Sequence, residues 1–276
     1  MKLSLRGLGC ILFSFGGRMG VRPYTVLTND RRGPYCTLNL GGVVEPSEPG
    51  QFYMVRGDWG ADPMLPRPLS ILGDDPAGGT LRFLLKVVGE GTRRLYDLEP
   101  GQKVTALGPL GRPFPRALPS GAEPAVLVGG GVGVPPLVCL AEAFVREGTP
   151  FTFLQGARTE ADLVCMEDLA RLGIAPVITT EDGGAGEKGL VTVPLLKALD
   201  EGASAAFACG PEGMLKAVAK LCAGRVPSHL SLEARMGCGY GVCLGCVVPI
   251  LRDGARVYER VCQEGPVFDG EVVLWE

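Results

Sequence analysis

From Ala125 to Gly224 short apolar runs alternate with segments of helical period, and few folds accept that order. AVLV (125–128) has the pattern of a buried strand, and the turn GGGVGVPP separates it from LVCLAEAFVREG. In that segment Leu137, Leu140, Ala141 and Phe144 fall at i, i+3, i+4 and i+7, on one helix face. Pro135 and Pro136 stand at its first turn, where a helix tolerates the missing N–H. The alternation repeats through strand FTFLQG, helix ADLVCMEDLARLG, strand PVITT, helix VTVPLLKALDEG, strand AAFACG and helix PEGMLKAVAKLCAG. Helical crossovers of this kind join parallel strands and cover both sheet faces, so residues 119–228 are expected to form a doubly wound α/β domain.

The texture before it is different. YTVLTND, YCTLNLGG, GQFYMVRG, PLSIL, LRFLLKVVG and QKVTALGPLG are β-type runs without helical period, which predicts a small antiparallel barrel over residues 23–118. PFPRALPSGAEP, with four prolines in twelve residues, reads as the linker between the two. Residues 1–22 stand apart as an extension. Lys2 and Arg6 before a short apolar run give it a weak likeness to a signal peptide. An over-extended start is the better reading, with folded sequence beginning near Tyr24. A third segment, 229–276, follows the α/β domain and holds four clustered cysteines.

Composition excludes several classes. Net charge is −3 with no long basic run, which argues against nucleic acid as a partner. No apolar stretch reaches the ~18 residues of a membrane span. Glycine (42) and proline (23) are abundant, but 46% apolar content is too high for disorder, so they read as turn residues. His229 is the sole histidine, which removes His-rich metal sites and makes a His-based triad improbable. Cys10, Cys36, Cys139, Cys165, Cys209 and Cys222 are scattered in apolar contexts, as suits buried free thiols in a cytoplasmic protein.

Two places in the α/β domain could hold a dinucleotide. Gly129, Gly130, Gly131 and Gly133 form a turn between a strand and a helix N-terminus, where backbone N–H groups can approach a phosphate. Val134 stands where the last glycine of G-x-G-x-x-G would be, so the turn alone is also compatible with simple tight packing. ACGPEGM supplies a second strand-to-helix crossing at Cys209, Gly210 and Pro211. Cys209 is there either as a buried small residue or as a wall of a nicotinamide pocket. The acid expected after the second strand of an NAD site is replaced by Gly156-Ala157-Arg158, which leaves NAD versus NADP open. In the barrel, Arg67 and Ser70 of RPLSIL can bond phosphate or flavin oxygens, and Gly89, Gly91 and Thr92 offer a second loop for a diphosphate. By itself an Arg-Pro-x-Ser turn is more often a surface turn.

The cysteines are more specific. In MGCGYGVCLGC four residues separate Cys238 from Cys243 and two separate Cys243 from Cys246, while Cys262 lies fifteen further on. Four, two and a distant fourth is the spacing of plant-type 2Fe–2S ligation. Gly237, Gly239, Gly241 and Gly245 let the loop wrap closely and turn amides toward the sulfurs. Zinc ribbons pair two Cys-x-x-Cys hooks, and only one exists here; a disulfide framework conflicts with the cytoplasmic reading. The segment reads as an electron site.

RPLS, GEGT, GGGVGVPP, CGP and MGCGYGVCLGC…VCQEGPVF, in this order, resemble the electron-transfer subunits of class 1B dihydroorotate dehydrogenases, within the ferredoxin–NADP reductase superfamily. The likeness covers roughly residues 24–276. It implies a flavin barrel, a nucleotide domain and a C-terminal cluster domain. It implies FAD contacts from Arg67, Pro68, Leu69, Ser70, Leu84, Leu85, Lys86, Gly91 and Thr92, and cluster ligation by Cys238, Cys243, Cys246 and Cys262. It also implies an NAD⁺-linked oxidoreductase subunit working with an FMN-containing dihydroorotate dehydrogenase chain, two of each, in pyrimidine biosynthesis. No acid–base pair for a carbon acid is evident here, so the substrate's proton is expected to leave elsewhere. The rival readings are a reductase subunit of a sulfur- or hydrogen-metabolising complex and a zinc-stabilised scaffold.

Overall fold

The computed structural model describes residues 20–118 and 124–275. Residues 1–19 of the extension, with its signal-like run, and 119–123 of the linker lie outside the described residues.

All six β-type runs form strands: β1 (Gly20–Arg32), β2 (Tyr35–Gly41), β3 (Phe52–Gly57), β4 (Arg67–Asp75), β5 (Thr80–Lys86) and β6 (Lys103–Leu110). They close an antiparallel barrel in the order β1-β2-β5-β4-β3-β6. Closure explains why β1 begins before Tyr24. Gly20–Thr25 pair with β6, while Thr25–Arg32 pair with β2 past an irregularity between Val26 and Thr28. One long strand thus bends between two neighbours and leaves no free edge. Leu38, Leu40, Tyr53, Val55, Ile71, Leu81 and Phe83 fill the interior.

Between β5 and β6 lies a helix the strand reading did not resolve, α1 (Glu90–Tyr96). Its C-terminal carbonyls are taken up from β1, where Asn29 Nδ2 lies 2.9–3.1 Å from the carbonyl oxygens of Leu95, Tyr96 and Leu98. Helix ends need such partners. Asn29→Ala should lower stability by about 1–3 kcal/mol and loosen the Gly91–Thr92 turn that α1 carries. Thermal melting checks the first effect and FAD retention the second; an unchanged melt would show that water replaces the amide at no cost.

The second layer contains β7 (Ala125–Gly130), α2 (Pro135–Glu147), β8 (Phe151–Ala157), α3 (Met166–Arg171), β9 (Val177–Thr180), β10 (Glu187–Lys188), α4 (Thr192–Asp200), β11 (Ala206–Cys209), α5 (Glu212–Cys222) and β12 (Ser228–Ser231). The expected helix from Ala161 is shorter. A 3₁₀ turn at Glu160–Asp162 gives way to extended Leu163; both Leu163 and Val164 are buried, and α3 starts at Met166. A hairpin, β13 (Val247–Arg252) and β14 (Ala255–Arg260), and a last strand, β15 (Val267–Asp269), complete the chain. The sheet runs β10-β9-β8-β7-β11-β12-β15, parallel except for β15. The division expected at 228/229 falls inside β12, and β15 returns to pair with that strand. The cysteine segment is therefore stitched to the nucleotide sheet at both of its ends.

The layers touch through polar pairs as well as apolar packing. Tyr35 Oη donates to Asp162 Oδ1 (2.6 Å), Arg82 pairs with Asp168 (2.6 Å), and Cys139 Sγ lies 3.3 Å from the Ile71 carbonyl oxygen. Phe52, Met54 and Leu110 of the barrel share one apolar cluster with sheet residues and with Cys246 and Cys262.

Candidate functional site

The sheet order reverses direction beside β7, with β8 on one side and β11 on the other. Open α/β sheets bind ligands outside the C-terminal strand ends at such a point. The turns after β7 and β11 meet there. A Cβ on Gly133 would lie 2.5 Å from Gly210 N and 2.6 Å from Cys209 C and O, so only glycine permits this approach. A cavity of about 550 Å³ opens above, lined by Gly130, Gly131, Gly133, Gly210 and Pro211. Gly129 and Cys209 are not in its wall. A Cβ on Gly129 would run into Val134 at 2.9 Å, and Cys209 is buried beneath with its thiol pushed up by burial. The non-glycine at Val134 is thus a packing residue, fully buried at the start of α2.

A second cavity, about 220 Å³, lies between barrel and sheet. Pro68, Leu69 and Ser70 of β4, Leu84, Leu85 and Lys86 of β5, and Thr92 of α1 line it. Arg67 stands at its margin. Its Nη1 donates to the carbonyls of Leu65 and Pro66 (3.0 and 3.3 Å), and a Cβ on Gly91 would overlap the guanidinium. Thr92 Oγ1 accepts from the amides of Val88 and Gly89 (2.9 and 3.1 Å) and fixes the turn. An arginine fork laid on a glycine turn suits a diphosphate, and the apolar wall of Leu69, Leu84 and Leu85 suits a flat ring, so these residues fit FAD. Arg67→Ala should weaken FAD retention about 10- to 100-fold, from a charge-assisted bond worth ~1.5–3 kcal/mol. Flavin retained through gel filtration at parental occupancy would remove Arg67 from the site.

The structure adds wall residues that spacing did not reveal, among them Phe52, Val132, Leu232, Glu233, Ala234 and Met236. Glu233 and Lys86 line both cavities. Burial holds the Glu233 carboxyl above its ordinary range. Lys86 lies 4.9 Å from the Tyr35 ring centroid, with Nζ 3.4 Å from Asp162 Oδ1. No motif marks Glu233; only the path of β12 brings it here.

The four cysteines fall into two neighbouring pairs, Cys238 with Cys243 and Cys246 with Cys262. The second pair is buried, whereas Cys243 is exposed. Backbone amides point at the sulfurs: Gly241 N to Cys262 Sγ (3.2 Å), Cys262 N to Cys246 Sγ (3.4 Å) and Cys243 N to Cys238 Sγ (3.5 Å). Burial pushes the Cys238 thiol up, but the amides of Cys243, Tyr240 and Val242 together with the Cys243 side chain outweigh it and bring it down to about 6. Gly239 (φ +82°) and Gly241 (φ +87°) take left-handed conformations, which explains their glycines. At Gly237 and Gly245 an added Cβ would meet only Cys243 Sγ, at 3.4 and 3.5 Å. Among the described residues no three Cys, His, Asp or Glu side chains converge on a single metal ion. Two thiol pairs under amide donors fit the two irons of a 2Fe–2S cluster. Arg260 braces the loop through Gly241 O (2.8 Å) and an ion pair with Glu264.

Two family models match parts of the chain. The family model "Iron-sulfur cluster binding domain of dihydroorotate dehydrogenase B" matches residues 233–274, and "Oxidoreductase NAD-binding domain" matches 127–220. The dihydroorotate dehydrogenase B (NAD(+)) electron transfer subunit of Bacillus caldolyticus is 42% identical over 241 residues, 86% of this chain and 92% of that one. The subunit of the same name from Shouchella clausii is 40% identical over 261 residues, 94% and 98% of the two chains. Among solved structures, an NADH-dependent reduced ferredoxin-NADP oxidoreductase superposes with TM-score 0.78 at 27% identity, covering 91% of this chain and 90% of that one. The ferredoxin reductase of carbazole 1,9a-dioxygenase shares the fold at TM-score 0.66 and 22% identity, covering 77% and 69%. Near-full-length relatives and the iron–sulfur family model point the same way: the chain belongs to the family of dihydroorotate dehydrogenase B (NAD(+)) electron transfer subunits.

Proposed function

We propose that this chain takes electrons from an FMN-containing dihydroorotate dehydrogenase catalytic chain and delivers them to NAD⁺ in pyrimidine (UMP) biosynthesis. The complex, with two copies of each chain, is assigned to the cytoplasm. The observation that carries this reading is the contiguity of three sites. Met236, two residues before Cys238, lines the flavin cavity, and Lys86, Val132 and Glu233 line both that cavity and the dinucleotide one. When bound, a 2Fe–2S cluster supplies single-electron exchange, FAD exchange of one or two, and NAD⁺ acceptance of a hydride, so this order links a one-electron entrance to a two-electron exit.

The chain's own residues then bind, orient and shield. Residues 23–118 carry the flavin cradle, 119–228 the dinucleotide crevice and 229–276 the cluster loop. Arg67, Ser70, Gly91 and Thr92 take the diphosphate end of FAD, while Pro68, Leu69, Leu84, Leu85 and Lys86 frame its ring. Gly130, Gly131, Gly133, Gly210 and Pro211 present backbone to the dinucleotide, with Gly129 and Cys209 as the packed floor. Exposed Cys243 marks the side on which the partner delivers electrons.

Purification of the native complex tests the reading. The companion chain should contain FMN and oxidise dihydroorotate. A companion from sulfur or hydrogen metabolism would overturn it in favour of the alternative reductase role.

A further inference from the structure

The dinucleotide cavity carries a third carboxylate in its wall besides Asp162 and Glu233. Glu181 follows β9 directly and faces that cavity. Its carboxylate makes no hydrogen bond or ion pair with the described residues. The cavity's two ends are distinguishable. Lys86 and Glu233 mark the end shared with the flavin cavity, where the nicotinamide must lie. Gly131 and Gly133 mark the middle, and Gly156, Ala157, Arg158 and Glu181, beyond β8 and β9, mark the far end. Leu190, 58% exposed, adds an apolar surface for the adenine there.

In nucleotide-binding sheets of this kind an acid at the end of the second strand accepts the ribose 2′-hydroxyl, whereas an arginine accommodates a 2′-phosphate. Here the second strand is β8, and Arg158 follows it. The structure draws that arginine sideways: its Nε lies 4.0 Å from Asp162 Oδ2, and its side chain is 74% exposed. The carboxylate arrives instead from the neighbouring strand, on a firmly held backbone. Glu181 N donates to Ala157 O (3.1 Å) and Asp182 N to Arg158 O (3.2 Å). The returning loop is tied by Gly189 N to Thr180 O (2.9 Å) and by Thr180 Oγ1 to Ala185 O (2.7 Å).

We propose that Glu181 selects NAD(H) over NADP(H) by accepting the ribose 2′-hydroxyl and repelling a 2′-phosphate. This rests on the dinucleotide reading of the cavity. The test is Glu181→Gln in the FAD-loaded protein, with kcat/KM for NADH and NADPH by dye reduction and Kd for NAD⁺ and NADP⁺ by calorimetry. Even at the solvent-like dielectric of an exposed carboxylate, a negative charge within hydrogen-bond reach of a phosphate dianion is worth about tenfold. The NADH-over-NADPH ratio should therefore fall about tenfold, mainly because NADPH improves, and the NADP⁺ Kd should tighten in parallel. Arg158→Ala should leave the ratio within about twofold, since its guanidinium is drawn toward Asp162 while the Glu181 carboxylate, also exposed, has no such partner. An unchanged ratio in Glu181→Gln, or an equal loss for both nucleotides, would overturn the proposal. So would an Arg158→Ala variant that alone shifts the ratio. If the parent protein binds neither NAD⁺ nor NADP⁺, the cavity assignment itself fails and takes this proposal with it.

Discussion

Cys246→Ser is expected to cut dihydroorotate-to-NAD⁺ electron transfer in the assembled complex by roughly 100-fold or more, through loss or lability of the cluster. The same variant should reduce a small dye from NADH within about twofold of the parent. The separation follows from where the thiol lies. Cys246 is 3% exposed and accepts the Cys262 amide, so no solvent group can replace its sulfur. A serine oxygen is a harder and shorter ligand for iron. The cavity proposed for FAD, walled by β4, β5 and α1, contains no residue of this loop except Met236 upstream, so FAD should stay bound. Because Cys246 shares its apolar cluster with Ile250 and Val261, the substitution also threatens local packing. Gel filtration of the complex separates the two effects. Retained coupling in an intact, cluster-free complex would reduce the four cysteines to a structural role.

The parts legible in the sequence are those written in local pattern. The six barrel strands and the parallel sheet follow from apolar period, and the cysteine spacing from ligand geometry. What stayed hidden depends on distant pairing. Ser228–Ser231 is a short polar run that nothing local marks as a strand; it becomes one because β11 and β15 flank it. That strand carries Glu233 to the junction of both cavities, where no motif announces it. One missed element did have a signal. Asp253-Gly254, with φ values of +50° and +77°, is the two-residue turn of the β13–β14 hairpin, and Asp-Gly between alternating runs is a strong hairpin mark. α1 was unreadable for another reason: seven residues are too few to show helical period, and its ends are held from β1 and from the Thr92 turn.

The nucleotide selector shows the same limit at one residue. A rule about the second strand places attention on Arg158, which is adjacent in sequence to the right strand. The sheet places Glu181 beside it, because Glu181 N bonds to Ala157 O across the β8–β9 pair. Twenty-odd residues of chain separate the two, and register alone makes them neighbours.

Gly133→Ala should lose the NADH-driven dye reduction that Cys246→Ser keeps, and keep the cluster that Cys246→Ser loses. The added methyl would meet Gly210 N at 2.5 Å and the Cys209 carbonyl group at 2.6 Å, and both are backbone, so no side chain can swing aside. Strands β7 and β11 are hydrogen-bonded neighbours, with Gly129 paired to Cys209, so relief must come from opening the turns above them. Such overpacking costs about 1–3 kcal/mol of stability. A displacement on the order of 1 Å between two backbone loops that hold one ligand costs about 100-fold in turnover. NADH-driven dye reduction should therefore fall about 100-fold, while flavin and cluster absorption remain, since neither cradle includes Gly133. Gly73→Ala serves as the control, because a Cβ there meets only Arg82 Nη1 at 3.8 Å. Parental NADH turnover in Gly133→Ala would mean that the two turns do not clasp the dinucleotide. The crevice at the strand reversal would then have to surrender its role to another part of the cavity.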